Sequence, residues 1–227
     1  MRSSEILSLF SKEREIQFIY CGLQDYQETL ALQYSLVEHP PVITVGRKRN
    51  ARRNILDPGE IPVIEVERGG DVTYHTPGQL VGYPILLLEP DSRDLHRYLR
   101  DLEDLLIRLL AVYGIGAERN PPYTGVWHGG RKLASIGVAV HAWVTLHGFA
   151  LNVNNDPAEF TRIHPCGLPA EVMGSVAQIL GHPVDLGEMK KTLRDLVCNP
   201  FPPRVSPPEE AQLSPCHPDG KLLDSSS

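Results

Sequence analysis

Cys166 lies between a proline and a glycine, a setting that suits a cysteine with a chemical role. Pro165 constrains the backbone before the thiol and Gly167 frees it afterwards. A thiol attacks an ester-like carbon as the thiolate, and a free thiol with a pKa of about 8.5 supplies little thiolate at neutral pH. Most lone cysteines are inert core residues, so a structural role is the alternative. That inert role is expected for the other three cysteines, Cys21, Cys198 and Cys216.

A polar run from Arg68 to Gln79 has the composition of a ligand-binding loop. Gly69-Gly70 lets backbone N–H groups approach a ligand closely, and Arg68 adds a fixed cation with planar donors. Apolar runs before it (Ile61 to Val66) and after it (Leu80 to Leu88) predict two strands that hold the loop. An ordinary strand connection with turn residues is the alternative interpretation.

Further strands are predicted on both sides of this run. Short apolar or alternating stretches indicate them at Ile16 to Cys21, Val42 to Val45, Val126 to His128, Leu133 to His141 and Val144 to Val153. Gly129-Gly130 suits a tight hairpin turn. Asn155 to Ile163 is a polar connection that leads to Cys166.

Apolar residues at helical spacing predict helices that cover the sheet. They occur at Leu23 to Val37, Leu95 to Tyr113, Ser175 to Leu180 and Glu188 to Val197. His39-Pro40-Pro41 would end the first helix, Asp91 or Ser92 would cap the second, and Gly114 would end it. The order of elements predicts an α/β protein of the α+β type, with a mixed sheet and covering helices.

Composition and charge narrow the class of protein. The 227 residues, 41% hydrophobic and 22% charged, suit one soluble core, and we expect a single catalytic domain over residues 1–198. Residues 199–227 are rich in Pro and Ser and are expected to form a flexible tail. The formal net charge of −6 disfavours a nucleic-acid partner. No apolar run suits a membrane span and no targeting segment is evident, so we expect a cytoplasmic protein with reduced thiols.

Neither a metal site nor a nucleotide site is predicted. The spacing of His75, His147 and His164 matches no common metal-ligand pattern, and no GxxxxGK[ST] loop is present. We therefore expect no cofactor. A basic cluster from Arg47 to Arg53 indicates a surface for an acidic partner, with a solvated charge run as the alternative.

Three segments together resemble the lipoyl(octanoyl) transferase family. The polar run and the residues after it, RGGDVTYHTPGQLVGYPI, are similar to the family's RGGxVTYHGPGQLVGYPI signature. Arg131 to Val138 resembles its lysine strand, and His147 to Asn154 with Ile163 to Gly167 resembles its substrate strand and cysteine turn. The resemblance implies a fold similar to that of lipoate–protein and biotin–protein ligases. Thr76 stands where the family usually has glycine, and a positive φ there would strain the loop.

The resemblance also assigns the site residues. Cys166 is the implied acyl-thioester cysteine, and Lys132 is the implied lysine that favours its thiolate and moves its proton. The implied acyl-binding residues are Arg68, Gly69, Gly70, Asp71, Val72, Thr73, Tyr74, His75, Ser135, Ile136, Gly137, Gly148, Phe149 and Ala150.

The function implied by the resemblance is octanoyl transfer, the first step of endogenous lipoate biosynthesis. The donor would be octanoyl-acyl carrier protein. The acceptors would be lysines on the lipoyl domains of 2-oxoacid dehydrogenase E2 subunits and on the glycine cleavage H protein. One alternative is an ATP-dependent lipoate or biotin ligase, which needs no nucleophilic cysteine. A second is a catalytically silent binder of carrier protein.

Overall fold

The structure, a computed structural model, describes residues 19–23 and 35–198. Within these residues ten strands and three α-helices form, joined by several short 3-10 turns. The strands are β1 (Ile19–Leu23), β2 (Ser35–Glu38), β3 (Val42–Val45), β4 (Val63–Glu65), β5 (Val72–His75), β6 (Gln79–Gly82), β7 (Glu118–Asn120), β8 (Tyr123–His128), β9 (Arg131–His141) and β10 (Val144–Asn152). The helices are α1 (Leu95–Val112), α2 (Val176–Leu180) and α3 (Leu186–Cys198).

The strands form two mixed sheets. The larger has seven strands in the order β1-β2-β6-β10-β9-β8-β7, and the smaller has three in the order β4-β3-β5. The pairs β1–β2 and β3–β4 are parallel and the others antiparallel. Leucines of α1 and apolar residues of α3 pack with the larger sheet in the main core. The predicted α+β class with a mixed sheet and covering helices is therefore confirmed.

The two long hairpins of the larger sheet follow the predicted pattern closely. The turn between β8 and β9 is Gly129-Gly130, with φ of 54° and 77°, and such a pair of positive φ angles is typical of a type I′ hairpin. In the next hairpin, Gly137 of β9 pairs with Gly148 of β10, and Ser135 pairs with Ala150. The small residues of the two strands thus stand opposite each other.

The run from Arg68 to Gln79 is not a single loop, contrary to the prediction. Its centre, Val72–His75, is strand β5 and pairs antiparallel with β3. Val72 and Thr73 are β-branched and Tyr74 is aromatic, and this local strand preference outweighs the polar composition on which the loop prediction rested. The strand predicted over Leu80 to Leu88 ends at Gly82, and Pro84 beyond it lacks an N–H for a ladder hydrogen bond.

Two helix predictions also need correction. Leu23 ends β1 and Val37 lies in β2, whose pairing with β6 makes it a strand rather than the end of a helix. Residues 24–34 lie outside the described part of the chain, as does the predicted tail. Helix α1 is capped by Asp94, whose side chain accepts a hydrogen bond from the Arg97 amide at 3.1 Å. Residues Pro90–Ser92 form a separate 3-10 turn, so neither Asp91 nor Ser92 is the cap.

Other sequence expectations have mixed outcomes. The closing helices appear as α2 and α3, and Gly114 follows α1 with a φ of 75°. Cys198 is exposed rather than part of the core. Within the described residues, no helix combines the length and apolar character that crossing a membrane requires. No group of three potential metal-ligating side chains lies together in the same residues.

Asp101 is a buried carboxylate on α1 that makes the stability of the fold depend on pH. Its side chain is 4% exposed and its Oδ2 atom has no hydrogen-bond partner in the described part of the chain. Burial raises the pKa of Asp101 to about 6. The folded state therefore takes up a proton at a higher pH than the unfolded chain, so this group favours folding increasingly as the pH falls from about 6 towards 4.

Replacing Asp101 by Asn should stabilise the protein at pH 7.5 by about 1–3 kcal/mol, because the buried charge is removed. The gain should shrink as the pH approaches 4, where the wild-type carboxyl is also neutral. Thermal denaturation followed by circular dichroism across this range measures the effect. Asp91→Asn, at an exposed position before α1, is the control. A gain that does not change with pH would show that burial of the charge is not its cause.

Candidate active site

The Cys166 turn holds the thiol in a backbone conformation that non-glycine residues rarely adopt. Cys166 has φ 60° and ψ 20°, inside the 3-10 turn Pro165–Gly167. This left-handed conformation costs an L-residue about 1–2 kcal/mol. The turn is fixed by hydrogen bonds from the His164 amide to the Asn54 carbonyl at 2.7 Å and from the Gly167 amide to the His164 carbonyl at 3.0 Å. Such strain persists where the surroundings fix the chain, and here it presents a partly exposed sulfur.

Lys132 of β9 brings an ammonium to this sulfur. Its side chain is 1% exposed, and Nζ lies 3.5 Å from Cys166 Sγ. Nζ also lies over the Trp127 ring, 5.8 Å from the centroid. No carboxylate in the described residues forms an ion pair with Lys132. The contact sets a cationic donor against the sulfur, an arrangement that can assist a thiol in nucleophilic attack.

A cavity opens beside the sulfur between β5 of the smaller sheet and the β6, β9 and β10 strands of the larger. The enclosed space is about 50 Å³, and the empty volume rises to about 490 Å³ when open solvent at its mouth is included. Val81, Ile136 and Phe149 give it an apolar lining, while Val72 contributes to its wall but packs its side chain with Tyr74. The facing pairs Gly137–Gly148 and Ser135–Ala150 add only small side chains to this wall of the cavity. A narrow apolar space that ends at a thiol suits an aliphatic acyl group.

The segment Arg68-Gly69 joins the two sheets beside this cavity. Its guanidinium donates to the Thr44 carbonyl at 3.0 Å, the Thr44 hydroxyl at 2.9 Å and the Asp71 carbonyl at 2.9 Å. The Gly69 amide donates to the carbonyl of Val138 on β9 at 2.8 Å. A Cβ atom at Gly137 would lie 3.0 Å from both Arg68 Cδ and the Gly69 carbonyl oxygen. Glycine at this position therefore allows the close approach of the two sheets.

The Asp71 carboxylate connects the cavity wall to the basic loop. It is 3% exposed and accepts hydrogen bonds from Lys48 Nζ at 2.8 Å, from Asn54 Nδ2 at 2.8 Å and from the Val72 amide at 2.7 Å. Burial alone would raise the pKa of Asp71, but these hydrogen bonds hold it below its ordinary value. The main-chain carbonyl of Asn54 also accepts a hydrogen bond from the His164 amide. Asp71 therefore stabilises the cysteine turn through Asn54.

Two buried histidines line the cavity as neutral imidazoles. Burial, together with the charges of His39 and Arg68, lowers the pKa of His75 well below its ordinary value. Burial and the Arg68 guanidinium lower the pKa of His147 to about 4. Both rings are therefore uncharged at neutral pH and supply hydrogen-bonding groups without a net charge.

Most of the residues singled out in the sequence meet at this cavity. Those that line it are Arg68, Gly70, Asp71, Val72, Thr73, His75, Ser135, Ile136, Gly137, Gly148, Phe149, Ala150 and Cys166. Gly69 and Lys132 support it without lining it. Tyr74 points away, because alternate residues of β5 face opposite sides, and its ring packs edge-on against Phe160 with 5.8 Å between centroids.

Several residues of the site were not among those that sequence reasoning assigned to acyl binding. Val81, Tyr83 and His147 line the cavity. All three lie in segments that resemble the family's motifs, so their positions offered a signal. Lys48 was predicted only as part of the basic cluster and Asn54 not at all, because their contacts with Asp71 bridge separate segments.

Thr76 does not strain the signature. It is buried, and its φ is not among the positive values. The positive φ of this turn belongs to Gly78, at 90°, where a Cβ atom would lie 2.6 Å from the Asn155 amide nitrogen. The condition on which strain was expected is therefore not met.

Comparison with known proteins places this fold and site in a class. The model of the lipoyl protein ligase A/B catalytic domain family matches residues 24–197. Among solved structures, a lipoate-protein ligase A bound with ATP aligns with a TM-score of 0.64 and 16% identity over 81% of this chain and 84% of the other. A bi-partite lipoate protein ligase of Thermoplasma acidophilum aligns with a TM-score of 0.62 and 16% identity over 81% and 83%. At such low identity the structural likeness shows the fold alone.

Sequence comparison shows the family of the chain as well as its fold. The family model matches more than half of the chain, so the chain belongs to the lipoyl protein ligase A/B catalytic domain family. The octanoyltransferase of Geobacter metallireducens is 57% identical over 158 residues, 70% of this chain and 73% of the relative. That of Citrifermentans bemidjiense is 49% identical over 184 residues, 75% and 89% of the two chains. The resemblance to lipoyl(octanoyl) transferases and the assignment as an acyltransferase are thereby confirmed.

Replacing Lys132 by Met should slow alkylation of Cys166 by iodoacetamide at pH 7 by roughly tenfold, because the ammonium that favours the thiolate is lost. Met keeps an apolar side chain of similar reach, so the buried volume is nearly retained. Rates measured by intact mass over pH 6 to 10 should show the profile displaced to higher pH. Lys191→Met, at an exposed position on α3, is the matched control. An unchanged profile in Lys132→Met would separate this lysine from activation of the thiol.

Proposed function

We propose that the protein transfers an octanoyl group from octanoyl-acyl carrier protein to a lysine of a lipoyl domain, through a thioester on Cys166. The observation that carries this proposal is the buried Lys132 ammonium 3.5 Å from Cys166 Sγ. The adjoining apolar cavity supports an aliphatic acyl group, and the octanoyltransferase relatives support its identity.

The first half-reaction loads the enzyme. The Cys166 thiolate attacks the carbonyl carbon of the donor thioester, a new C–S bond forms and the bond to the carrier's thiol breaks. The departing thiolate takes a proton from the Lys132 ammonium. Lys132 is then neutral beside the octanoyl thioester. The acyl chain lies along the cavity between β5 and the strands β6, β9 and β10.

The second half-reaction transfers the acyl group to the acceptor and returns a proton to Lys132. The neutral Lys132 amine accepts a proton from the incoming lysine amine as that nitrogen attacks the thioester carbon. The C–S bond to Cys166 breaks, an amide is left on the acceptor and the thiolate–ammonium pair is restored. The two halves balance in protons, so neither a nucleotide nor a metal is needed for them.

The proposed acceptors are lipoyl domains, including those of 2-oxoacid dehydrogenase E2 subunits, and the glycine cleavage H protein. Cys166 is partly exposed, so an acceptor lysine can approach its sulfur from outside. This makes the enzyme the first step of lipoate assembly on the protein. The residues proposed for acyl binding are those that line the cavity, with Gly69 and Tyr74 in supporting positions.

Mixing the enzyme with octanoyl-acyl carrier protein should add one octanoyl group to the protein, and Cys166→Ser should lose this adduct and transfer by at least about a thousandfold. A serine hydroxyl is close in size, but it yields almost no oxyanion beside Lys132. Intact-mass analysis without ATP, followed by addition of a lipoyl domain, measures both half-reactions. Wild-type turnover by Cys166→Ser would exclude the covalent route. If transfer required ATP and free octanoate, the protein would instead be a ligase. If it bound the carrier protein without becoming acylated, it would be a catalytically silent binder of carrier protein.

The basic loop Arg47 to Arg53 is proposed as the surface that receives the acidic carrier. Arg52 is already paired with Glu65, with Nε and Oε1 2.6 Å apart, and Arg47 lies 3.9 Å from Glu67. Arg49 and Arg53 are exposed and form no ion pair with the described residues. The loop adjoins the cavity through the Lys48–Asp71 pair. Its uncompensated charge is therefore carried by two arginines beside the mouth of the site.

Arg49→Glu and Arg53→Glu should each raise the apparent KM for octanoyl carrier protein by roughly threefold at low salt, because complementary charge steers the encounter. The effect should fade as salt is added. Transfer from a small octanoyl thioester, which lacks the carrier's surface, should stay within error. Lys191→Glu on α3 provides the same charge reversal elsewhere. An equal loss of activity with both donors would show that the loop supports the pocket rather than the encounter with the carrier. No loss with either donor would show that its charges are only solvated surface charges.

A further inference from the structure

The side chain of Lys132 reaches the thiol through a gap that a single glycine leaves open. Gly125 lies in β8 with a φ of 134°, a conformation that side chains other than glycine rarely adopt. A Cβ atom built there would lie 2.8 Å from Lys132 Cε and 2.4 Å from the Ala134 carbonyl oxygen. The lysine stem therefore passes directly over the Gly125 backbone.

A buried carboxylate fixes that glycine in place. Glu103 of α1 has a fully buried side chain, and its Oε1 accepts the Gly125 amide at 2.9 Å. Its Oε2 accepts Arg100 at 2.6 Å and Arg119 Nε at 2.8 Å. The two guanidiniums balance the charge, so the second oxygen is available for a main-chain group. Helix α1 thus holds β8 at the residue over which the lysine passes.

The strand pairing at this point is irregular. Val126 pairs with Ala134 while the next residue, Trp127, pairs with Lys132, so the ladder skips one residue of β9. Such bulges re-aim the side chains beside them. Main-chain contacts on the other side, from the Gly174 amide to the Lys132 carbonyl at 3.0 Å, hold the lysine's own backbone. The direction of the lysine stem is therefore set by β8 rather than by a regular ladder.

We propose that Glu103 and Gly125 are positioning residues for Lys132: the carboxylate anchors the glycine amide, and the glycine keeps the passage open that brings the ammonium to Cys166. This inference rests on the proposed role of Lys132 in activating the thiol. Neither residue touches the acyl group or the sulfur. Their effect on the reaction passes entirely through the lysine.

The test compares the pH profile of Cys166 alkylation in four single variants. Gly125→Ala and Glu103→Ala should displace the profile to higher pH, as Lys132→Met does, and should slow alkylation at pH 7 by roughly threefold to tenfold. Glu103→Gln keeps an oxygen that can accept the Gly125 amide, so its profile should stay near that of the wild type even though its stability falls. Gly116→Ala, where a Cβ would meet no atom within 4 Å, should behave as the wild type.

Double variants separate positioning from a general loss of stability. If Gly125 acts through Lys132, adding Gly125→Ala to Lys132→Met should displace the profile no further. Near- and far-ultraviolet circular dichroism confirms that each variant is folded at the assay temperature. A folded Gly125→Ala protein with the wild-type profile, or an additive effect in the double variant, would overturn the proposal. If Lys132→Met itself left the profile unchanged, the role proposed for the lysine would fail instead.

Discussion

The buried ammonium of Lys132 is the constraint on which the site depends. Two other buried charges of the described residues are balanced by opposite charges: Glu103 by two arginines and Asp71 by Lys48. Lys132 has a sulfur and an aromatic ring around its Nζ atom. A cation taken out of water is strongly disfavoured unless an anion accompanies it. We propose that the thiolate of Cys166 is that anion, so that burial of the lysine and reactivity of the sulfur depend on the same contact.

The sulfur can serve as that partner only if its own position is fixed, and contacts from separate chain segments accomplish this. The left-handed Cys166 would relax in an isolated turn. Here the turn is tied through the His164 amide to Asn54, and Asn54 is tied to the buried Asp71 of the signature. Lys132 comes from β9 in the other sheet. The thiol and the ammonium are thus delivered by opposite sides of the cavity, 3.5 Å apart, and the hydrogen bond from the Gly69 amide to the Val138 carbonyl joins the two sheets beside it.

Sequence reasoning correctly predicted the elements that are determined by local residue patterns. The β8–β9 hairpin, the helices α2 and α3, and the glycine end of α1 follow from turn residues and apolar spacing, and the structure has them. It failed where a strong local preference was overlooked, as in β5, or where pairing overrode spacing, as at Val37 in β2. Asp71 and Tyr74 show the further limit. Both fall within a motif that binds, yet the carboxylate of one braces a loop and the ring of the other packs behind the strand, because position along a motif does not fix which face a side chain takes.

The contacts that sequence could not supply are those between segments far apart in the chain. In the sequence Glu103 resembles any other charge on an amphipathic helix, and its burial and its bonds to the Gly125 amide and Arg119, 22 and 16 residues away, appear only in the fold. The fold does not decide the chemistry either, since a lipoate-protein ligase bound with ATP shares it. What differs between activating a free acid and accepting a thioester is the need for a nucleophile held beside a proton carrier. In the mechanism proposed above, Cys166 in its strained turn and Lys132, whose stem passes over Gly125, meet that need, whereas the sheets around them would serve either reaction.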